Sequence, residues 1–255
     1  MKKVLDEEAF GNNLRRLRER IAENTFLNEE QAEKIYQYFK MLLEKNNVMN
    51  LTAIVEADEV YVKHLEDSMS VIPILLNSDN FQECKNSYGK GLKILDLGTG
   101  AGLPGIILAI LLPQAEFILA DALSKRIKFL AEVCAELELK NVELIHSRAE
   151  DMARDSIYRD NIDIVISRAV ASMPTLIEYC LPLLKVGAKL IAMKSKSGEL
   201  DFAQNALKEL KGSPFRTIEL KLTDGSERCI YLIKKNTKTS NKFPRKNGQA
   251  KNNPL

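Results

Sequence analysis

The chain has 255 residues, which is enough for one substantial hydrophobic core and a small appendage. Apolar residues make up 45% and charged residues 28%, as in an ordinary globular protein. No run approaches the roughly 20 apolar residues of a membrane helix. The two N-terminal lysines are followed by three acidic residues instead of an apolar signal-peptide core. We therefore expect a cytoplasmic protein without a membrane segment.

The four cysteines are scattered, form no CxxC pair and accompany only two histidines. This pattern indicates neither a zinc site nor a disulfide framework, so we expect reduced thiols and no metal.

The charge is distributed unevenly along the chain. From Lys234 onward there are seven Lys or Arg residues and no acidic residue, which leaves −5 on residues 1–233. Such a basic end suits a polyanionic partner, although a disordered solubilising tail would have the same composition.

Helical periodicity dominates the first third of the chain. Apolar residues at spacings of three and four predict helices over 6–22 and 28–45, with Asn28 as the N-cap of the second. We predict a polar turn followed by a short extended run over 46–54. Over 56–76 we predict a helix that is broken or bent near Pro73. The polar, turn-rich residues 77–91 are typical of a linker. We therefore predict a helical N-terminal extension over 1–76.

From residue 92 onward, short apolar runs alternate with helical stretches. Strands are predicted at 92–98, 116–121, 142–147, 162–170 and 188–194, and helices at 104–112, 124–138, 149–154, 174–184 and 199–211. Alternation of this kind predicts a mostly parallel sheet covered on both faces. Runs at 217–222 and 228–234 predict a closing antiparallel hairpin. The fold class is therefore α/β, and the hairpin favours the methyltransferase variant of the doubly wound, Rossmann-like fold over 92–235. A basic C-terminal tail over 236–255 follows.

The loop DLGTGAGLPG (96–105) ends the first strand and opens a helix, where open α/β sheets bind ligands. Gly100, Gly102 and Gly105 formally match the GxGxxG dinucleotide fingerprint. However, the carboxylate of Asp96 would lie beside a pyrophosphate, which is unfavourable. It suits the ammonium group of S-adenosylmethionine, with Gly98 and Gly100 allowing close approach. We favour that cofactor over a nicotinamide cofactor and over a purely structural turn.

Two further acidic residues follow neighbouring strands. Asp121 ends the second strand, where a carboxylate can accept both ribose hydroxyls of an adenosine; alternatively it caps the next helix. Ala149 and Glu150 follow the third strand, in the loop that would flank adenine. Glu150 is equally typical of a solvated acid at a helix start.

Several segments together resemble one bacterial family. They are NLTAI (50–54), KHLEDS (63–68), LDLGTGAGLPG (95–105), DALSKRIKFL (121–130), RAE (148–150), ISRAVA (166–171), MK (193–194) and FPRKNG (243–248). The chain resembles the RsmG/GidB family, the 16S ribosomal RNA guanine-N7 methyltransferases. The resemblance implies a Rossmann-like catalytic domain, a small-subunit rRNA substrate, and cofactor contacts at Gly98, Leu103, Ala149, Glu150 and Arg168. The final GQAKNNPL departs from the family's usual proline- and lysine-bearing end.

An N7 target agrees with the residues of the loop after the fourth strand. This loop reads SRAV (167–170), without the Asn/Asp-Pro-Pro-aromatic sequence of many amino-group methyltransferases and without a nucleophilic cysteine. Guanine N7 carries a lone pair and no proton, so positioning suffices and we expect no general base. Arg168 and Lys194 are candidates for positioning the substrate, and an ordinary ion pair is the alternative for Arg168.

Other interpretations remain open at this point. His64 and Asp67, three residues apart on a helix, reach the cleft or form only a local hydrogen bond. A nicotinamide-dependent oxidoreductase and a non-catalytic RNA-binding module are the alternative functions. We predict that the tail adds phosphate affinity and contributes nothing to the cofactor site.

Overall fold

The computed structural model describes residues 7–76, 91–195 and 198–255, so the predicted linker lies almost wholly outside the described residues. Helix α1 (Glu7–Ala22) and helix α2 (Glu29–Asn46) lie where the periodicity predicts them. The Asn28 side chain accepts a hydrogen bond from the Gln31 N–H, and the Gln31 side chain accepts one from the Asn28 N–H. This capping box fixes the start of α2.

The third helical segment is more broken than its sequence predicts. Helix α3 (Ala57–Val60) continues through a π-helix (Tyr61–Glu66) into α4 (Asp67–Met69), and α5 (Ile72–Leu76) follows. The helical run breaks at residues 70–71, just before Pro73, so the predicted interruption near Pro73 is confirmed. Pro73 itself lies in the first turn of α5, where the missing N–H costs nothing. The predicted extended run forms no strand, because the Asn46 side chain accepts the N–H groups of Leu51 and Thr52.

A seven-stranded sheet forms the centre of the described structure. Its strands are β1 (Lys93–Leu97), β2 (Glu116–Asp121), β3 (Val142–His146), β4 (Ile162–Arg168), β5 (Leu184–Lys194), β6 (Gly212–Lys221) and β7 (Glu227–Lys235). The strand order is β3-β2-β1-β4-β5-β7-β6. Strands β1 to β5 pair in parallel, and β7 is antiparallel to both β5 and β6. The predicted α/β fold with its closing hairpin is confirmed.

Helices cover both faces of this sheet. They are α6 (Gly105–Leu111), α7 (Ser124–Glu136), α8 (Ala149–Met152), α9 (Met173–Cys180), a 3-10 helix (Glu199–Ala203) and α10 (Gln204–Leu210). One face shares a core with α6, α7 and the N-terminal helices, whereas α9 and α10 pack on the other. The N-terminal extension is therefore packed into the sheet's own core. The strand order reverses between β1 and β4, which makes their carboxyl ends the expected ligand site.

Strand β5 starts four residues before the predicted position, and the predicted helix before it ends early. Cys180 is the last residue of α9, and Leu184 already pairs with Ile162 of β4. A shift in register follows between Ile162 and Ile164, and Gly187 has a φ of +87°. This irregular start interrupts the apolar run from which a strand is predicted.

The C-terminal tail is not a free basic segment. It packs on the face that carries α9 and ends in a short helix, α11 (Gln249–Asn252). Phe243 and Ala250 are buried there. Three of the seven cations form ion pairs within the chain: Lys235 with Asp160, Lys242 with Glu209, and Arg245 with Glu178. The alternative of a disordered, solubilising tail is therefore wrong, because folding buries Phe243 and Ala250 and pairs Arg245 with Glu178. Contact of the basic residues with a polyanion stays a prediction.

Among the described residues, no helix is long and apolar enough to cross a membrane. Within the same part of the chain, no group of three or more His, Cys, Asp or Glu side chains is arranged to hold a metal ion. Cys134, Cys180 and Cys229 are free thiols.

Candidate cofactor site and cleft

The glycine loop after β1 adopts a backbone that glycine favours. Gly98 and Gly100 have φ values of +74° and +63°. The N–H groups of Gly98 and Thr99 donate to the Ala120 carbonyl at 2.8 and 3.0 Å, which ties the loop to the end of β2. A Cβ on Gly100 would meet nothing closer than 3.9 Å, whereas one on Gly98 would lie 2.4 Å from the Val170 side chain. The backbone of the loop therefore has free space beside Gly100, whereas the Val170 side chain packs closely against Gly98.

Asp96 is buried at the end of β1, where the strand order reverses, and only one of its carboxylate oxygens is hydrogen-bonded within the described residues. Its Oδ2 accepts the Thr99 hydroxyl at 2.7 Å and the Gly105 N–H at 2.9 Å. Its Oδ1 is buried without a hydrogen-bond partner. Burial is the main reason that the pKa of Asp96 is raised to about 6. An unpartnered buried acceptor of this kind fits a cationic donor from a ligand.

The remaining glycines of the loop serve packing. A Cβ on Gly102 would lie 2.7 Å from the side chains of Ile106 and Leu130, and one on Gly105 would lie 2.2 Å from Leu119. Leu103 is buried in the same core. The close packing of α6 therefore accounts for part of the match to GxGxxG.

Helix α2 also contacts this loop, which the sequence did not predict. The hydroxyl of fully buried Tyr38 donates to the Ala101 carbonyl at 3.0 Å. Burial raises the pKa of Tyr38 well above its ordinary value, so the hydroxyl stays protonated as a donor.

Asp121 lies beside the glycine loop with both oxygens engaged. Oδ2 accepts the Gly100 N–H and the Arg126 guanidinium, both at 3.0 Å, and Oδ1 accepts the Leu123 N–H at 2.8 Å. The N-cap of α7 is Leu123, without a side-chain cap, so Asp121 does not cap this helix, and its contact with a ribose stays a prediction. Asp121 orders the backbone of both loops, and its carboxylate oxygens retain lone pairs for further donors.

Ala149 and Glu150 begin α8, close to Asp121. The Ser147 N–H donates to the Asp121 carbonyl at 3.2 Å, which places the start of this loop beside the end of β2. Glu150 is buried, not solvated: its Oε1 accepts the Gly248 N–H from the tail at 2.8 Å. The Tyr179 hydroxyl bonds to the same carboxylate, and burial together with this negative charge raises the pKa of Tyr179 to about 12.

At the end of β4, Arg168 forms an ion pair with Asp67. Its guanidinium donates to Asp67 Oδ2 at 2.9 Å and to the Lys63 carbonyl at 3.2 Å. Arg228, from β7, donates to the other Asp67 oxygen at 2.9 Å. One buried carboxylate therefore joins the N-terminal extension, β4 and β7. No pattern in the sequence indicates Arg228, because β7 approaches Asp67 only in the folded chain.

The π-helix brings His64 next to this ion-pair group. The His64 ring lies 2.9 Å from the Thr52 hydroxyl and 3.1 Å from the Lys63 carbonyl. Burial, and then the Arg168 charge, lower the pKa of His64 to about 4. The ring is therefore neutral at neutral pH, and both of the expectations for His64 are met: it lines the cleft and it is locally hydrogen-bonded.

Lys194, at the end of β5, also holds the loop after β4. Its ammonium group donates to the Ala171 carbonyl at 2.5 Å and pairs with Glu199 at 2.8 Å. A cleft of about 640 Å³ opens between these elements. It is lined by the cations Lys63, Arg168, Lys194 and Arg228 and by the anions Asp67 and Glu199. The cleft therefore has an excess of positive charge beside the glycine loop.

Comparison with known proteins identifies the family. The GidB family model, described as rRNA small subunit methyltransferase G, matches residues 31–225. The chain belongs to this family. The ribosomal RNA small subunit methyltransferase G of Acetivibrio thermocellus is 42% identical over 231 residues, covering 90% of both chains. That of Lactobacillus helveticus is 41% identical over 235 residues, covering 91% of this chain and 94% of the relative.

Among solved structures, a SAM-dependent methyltransferase from Aquifex aeolicus is 17% identical, with a TM-score of 0.44 over 66% of this chain and 98% of the other. Membership of the GidB family confirms the resemblance on which the sequence analysis relied and the enzyme class that it implied.

Proposed function

We propose that the chain transfers a methyl group from S-adenosylmethionine to N7 of a guanosine in 16S ribosomal RNA in the cytosol. The observation that carries the proposal is the buried, unpartnered Asp96 oxygen beside the open face of Gly100, at the switch point of the sheet. A carboxylate there is complementary to the ammonium of a methionine group and repels a pyrophosphate. This favours S-adenosylmethionine over a nicotinamide cofactor.

The other residues of the proposed cofactor site follow from their positions. Gly98 and Gly100 bring the loop backbone close to the ligand. Asp121 accepts ribose hydroxyls in addition to, or in place of, the Arg126 guanidinium. Ala149 and Glu150 flank the adenine. Leu103 and Arg168 complete the set, as the resemblance to the family implies.

When bound, S-adenosylmethionine supplies an electrophilic methyl group carried by a sulfonium. The task of the protein is then to orient the guanine, because N7 has an in-plane lone pair and loses no proton. Arg168 and Lys194 lie at the ends of β4 and β5 on the cleft wall and are the proposed positioning residues. The cationic lining of the cleft provides phosphate contacts for an RNA partner.

The relatives are named as methyltransferases of small-subunit rRNA, which supports 16S rRNA as the partner. We expect purified protein to bind S-adenosylhomocysteine in calorimetry and not to bind NAD(H). It should transfer a labelled methyl group to 16S rRNA, either free or within small subunits, and mass spectrometry of the digest should find 7-methylguanosine. Tight NAD(H) binding, or RNA binding without methyl transfer, would support one of the alternative functions instead.

A further inference from the structure

We infer that the C-terminal tail is a positioning element of the cofactor site, through the contact of Gly248 with Glu150. This rests on the proposed function, in which Glu150 contacts the adenosine. The contact is a backbone hydrogen bond of 2.8 Å from the Gly248 N–H to Glu150 Oε1. Gly248 has a φ of +82°, a backbone conformation that glycine adopts without strain.

Further contacts attach the tail to α8 and to the residues just after it. The Asn247 side chain donates to Asp151 at 2.7 Å, and Arg154 donates to the Asn247 side chain at 2.9 Å and to the Pro244 carbonyl at 3.0 Å. These contacts join residues more than 85 positions apart in the chain. The tail therefore packs along the helix that carries Glu150.

A buried ion pair anchors the tail next to this helix. The Glu178 carboxylate on α9 is fully buried and accepts the Arg245 backbone N–H at 2.8 Å. It also accepts the Arg245 side chain at 3.0 Å and 2.6 Å. Such a carboxylate strongly favours the docked tail, because undocking would leave a buried charge without its partner. The next residue, Tyr179, is close enough to Glu150 for the carboxylate charge to raise its pKa.

Glu150 is thus held by Gly248, and the docked Arg245 helps to keep Gly248 in place. Binding of the cofactor and docking of the tail are therefore linked. Linkage is reciprocal: if the docked tail strengthens cofactor binding, the cofactor strengthens tail docking by the same factor. This inference replaces the sequence-based expectation that the tail contributes nothing to the cofactor site, and it gives Arg245, which is paired with Glu178, a role other than contact with RNA.

The first test uses the native full-length protein. Hydrogen–deuterium exchange is followed for the segment 243–252 with and without saturating S-adenosylhomocysteine. We expect slower exchange in the complex, and unchanged exchange in the β6–β7 turn over 222–227, which serves as an internal control. Calorimetry on the same sample tests the proposed cofactor binding separately from the inference about the tail. Absence of binding would contradict the proposed function, whereas binding with unchanged tail exchange would overturn this inference alone.

The second test alters the anchor. We expect Arg245→Gln to weaken S-adenosylhomocysteine binding by at least fivefold and to raise the KM for S-adenosylmethionine with little change in kcat. The double variant Arg245→Gln with Glu178→Gln removes the unpaired charge and should recover part of the affinity. Lys246→Gln is the matched control, because Lys246 is exposed and adjacent to Arg245.

A purely structural tail would lower the Tm of Arg245→Gln without changing the affinity of the folded fraction, and that result would contradict the inference. If Arg245→Gln does not fold, Arg154→Ala provides the second variant. Arg154 is partly exposed, so its loss loosens the tail without leaving a buried charge. Affinity within twofold of the wild type in Arg154→Ala, together with unchanged tail exchange, would overturn the inference.

Discussion

At the scale of single residues, Asp96 destabilises the ligand-free protein, and we propose that it binds the cofactor. Its buried Oδ1 has no hydrogen-bond partner among the described residues, which disfavours the charged form. We predict that Asp96→Asn raises the Tm of the ligand-free protein at pH 8 and abolishes S-adenosylhomocysteine binding. The gain in stability should be at most about 3 kcal/mol, the equivalent of roughly two pKa units. A lower Tm, or retained binding, would contradict this role for Asp96.

The raised pKa of Asp96 also determines the sign of the pH dependence. Because the pKa is about 6 in the folded protein and near 4 in the unfolded chain, the folded protein holds the proton more tightly. The contribution of Asp96 to stability is therefore present below pH 4 and lost as the pH rises through 6. Cofactor affinity should change in the opposite direction, falling below pH 6 as the carboxylate is protonated. Calorimetry of the wild type across pH 5–8 checks this, and an affinity that stays constant over that range would contradict a role for the Asp96 carboxylate.

Gly98 is constrained both by its backbone and by its neighbour. A valine there would adopt an unfavourable φ of +74° and place its Cβ 2.4 Å from the Val170 side chain. We predict that Gly98→Val stays folded and loses detectable S-adenosylhomocysteine binding in calorimetry. Gly225→Val is the control, because Gly225 has a φ of +83° but nothing within 4 Å of its added Cβ. Equal affinities in the two variants would mean that the glycine loop does not contact the cofactor.

At the scale of secondary-structure elements, α2 supports the glycine loop through one hydrogen bond. Removing the Tyr38 hydroxyl leaves the buried Ala101 carbonyl without this donor. We predict that Tyr38→Phe lowers the free energy of unfolding by about 1–2 kcal/mol and weakens the binding of S-adenosylhomocysteine severalfold. Tyr36→Phe is a matched control, since the Tyr36 hydroxyl makes no hydrogen bond within the described residues. A purely local effect on α2 would reduce the Tm while leaving the affinity of Tyr38→Phe equal to that of the control.

Most helices and strands could be predicted because their buried residues recur in the sequence at the regular spacing of a helix or a strand. Strands β1 to β4 and helices α1, α2 and α7 lie within a few residues of their predicted bounds. The π-helix, the early start of β5 and the packed tail could not be predicted. Each depends on contacts that are distant in the sequence, and such contacts leave no periodic pattern.

The candidate site shows the same division. Asp96, Asp121 and Arg168 could be singled out because the carboxyl ends of parallel strands converge at the switch point. Tyr38, Arg228 and Gly248 could not, since they come from a helix face, a hairpin strand and the tail. Their contacts depend on how those elements pack on the sheet. The strand ends are thus predictable from the sequence, and the residues that support them are not.

At the scale of the whole molecule, Asp67 connects three parts of the chain. Removing Arg168 leaves this buried carboxylate with Arg228 alone. We therefore predict that Arg168→Ala lowers the Tm and also loses most of the methyl transfer. The double variant Arg168→Ala with Asp67→Ala should recover part of the Tm but not the turnover. Wild-type turnover in Arg168→Ala would exclude a role in positioning the substrate.

The surface of the folded tail determines which of its charges can reach RNA. From Lys234 onward, Lys234 at the end of β7 and Lys238, Lys246 and Lys251 of the tail are exposed and form no ion pair in the described part of the chain. The other three cations, Lys235, Lys242 and Arg245, are paired. Each phosphate contact adds roughly 0.7–0.9 to the slope of log affinity against log salt concentration. We predict that replacing these four lysines by glutamine flattens the slope for 16S rRNA binding by up to about 3.

The measurement is a salt titration of RNA binding by the wild type and the four-lysine variant, with S-adenosylhomocysteine affinity measured alongside. That affinity should stay unchanged, because these side chains make no contact with Glu150 or the glycine loop. Lys242→Gln is the control, since Lys242 already pairs with Glu209. Identical slopes for the four-lysine variant and the wild type would place the RNA surface on the cationic cleft instead of the tail.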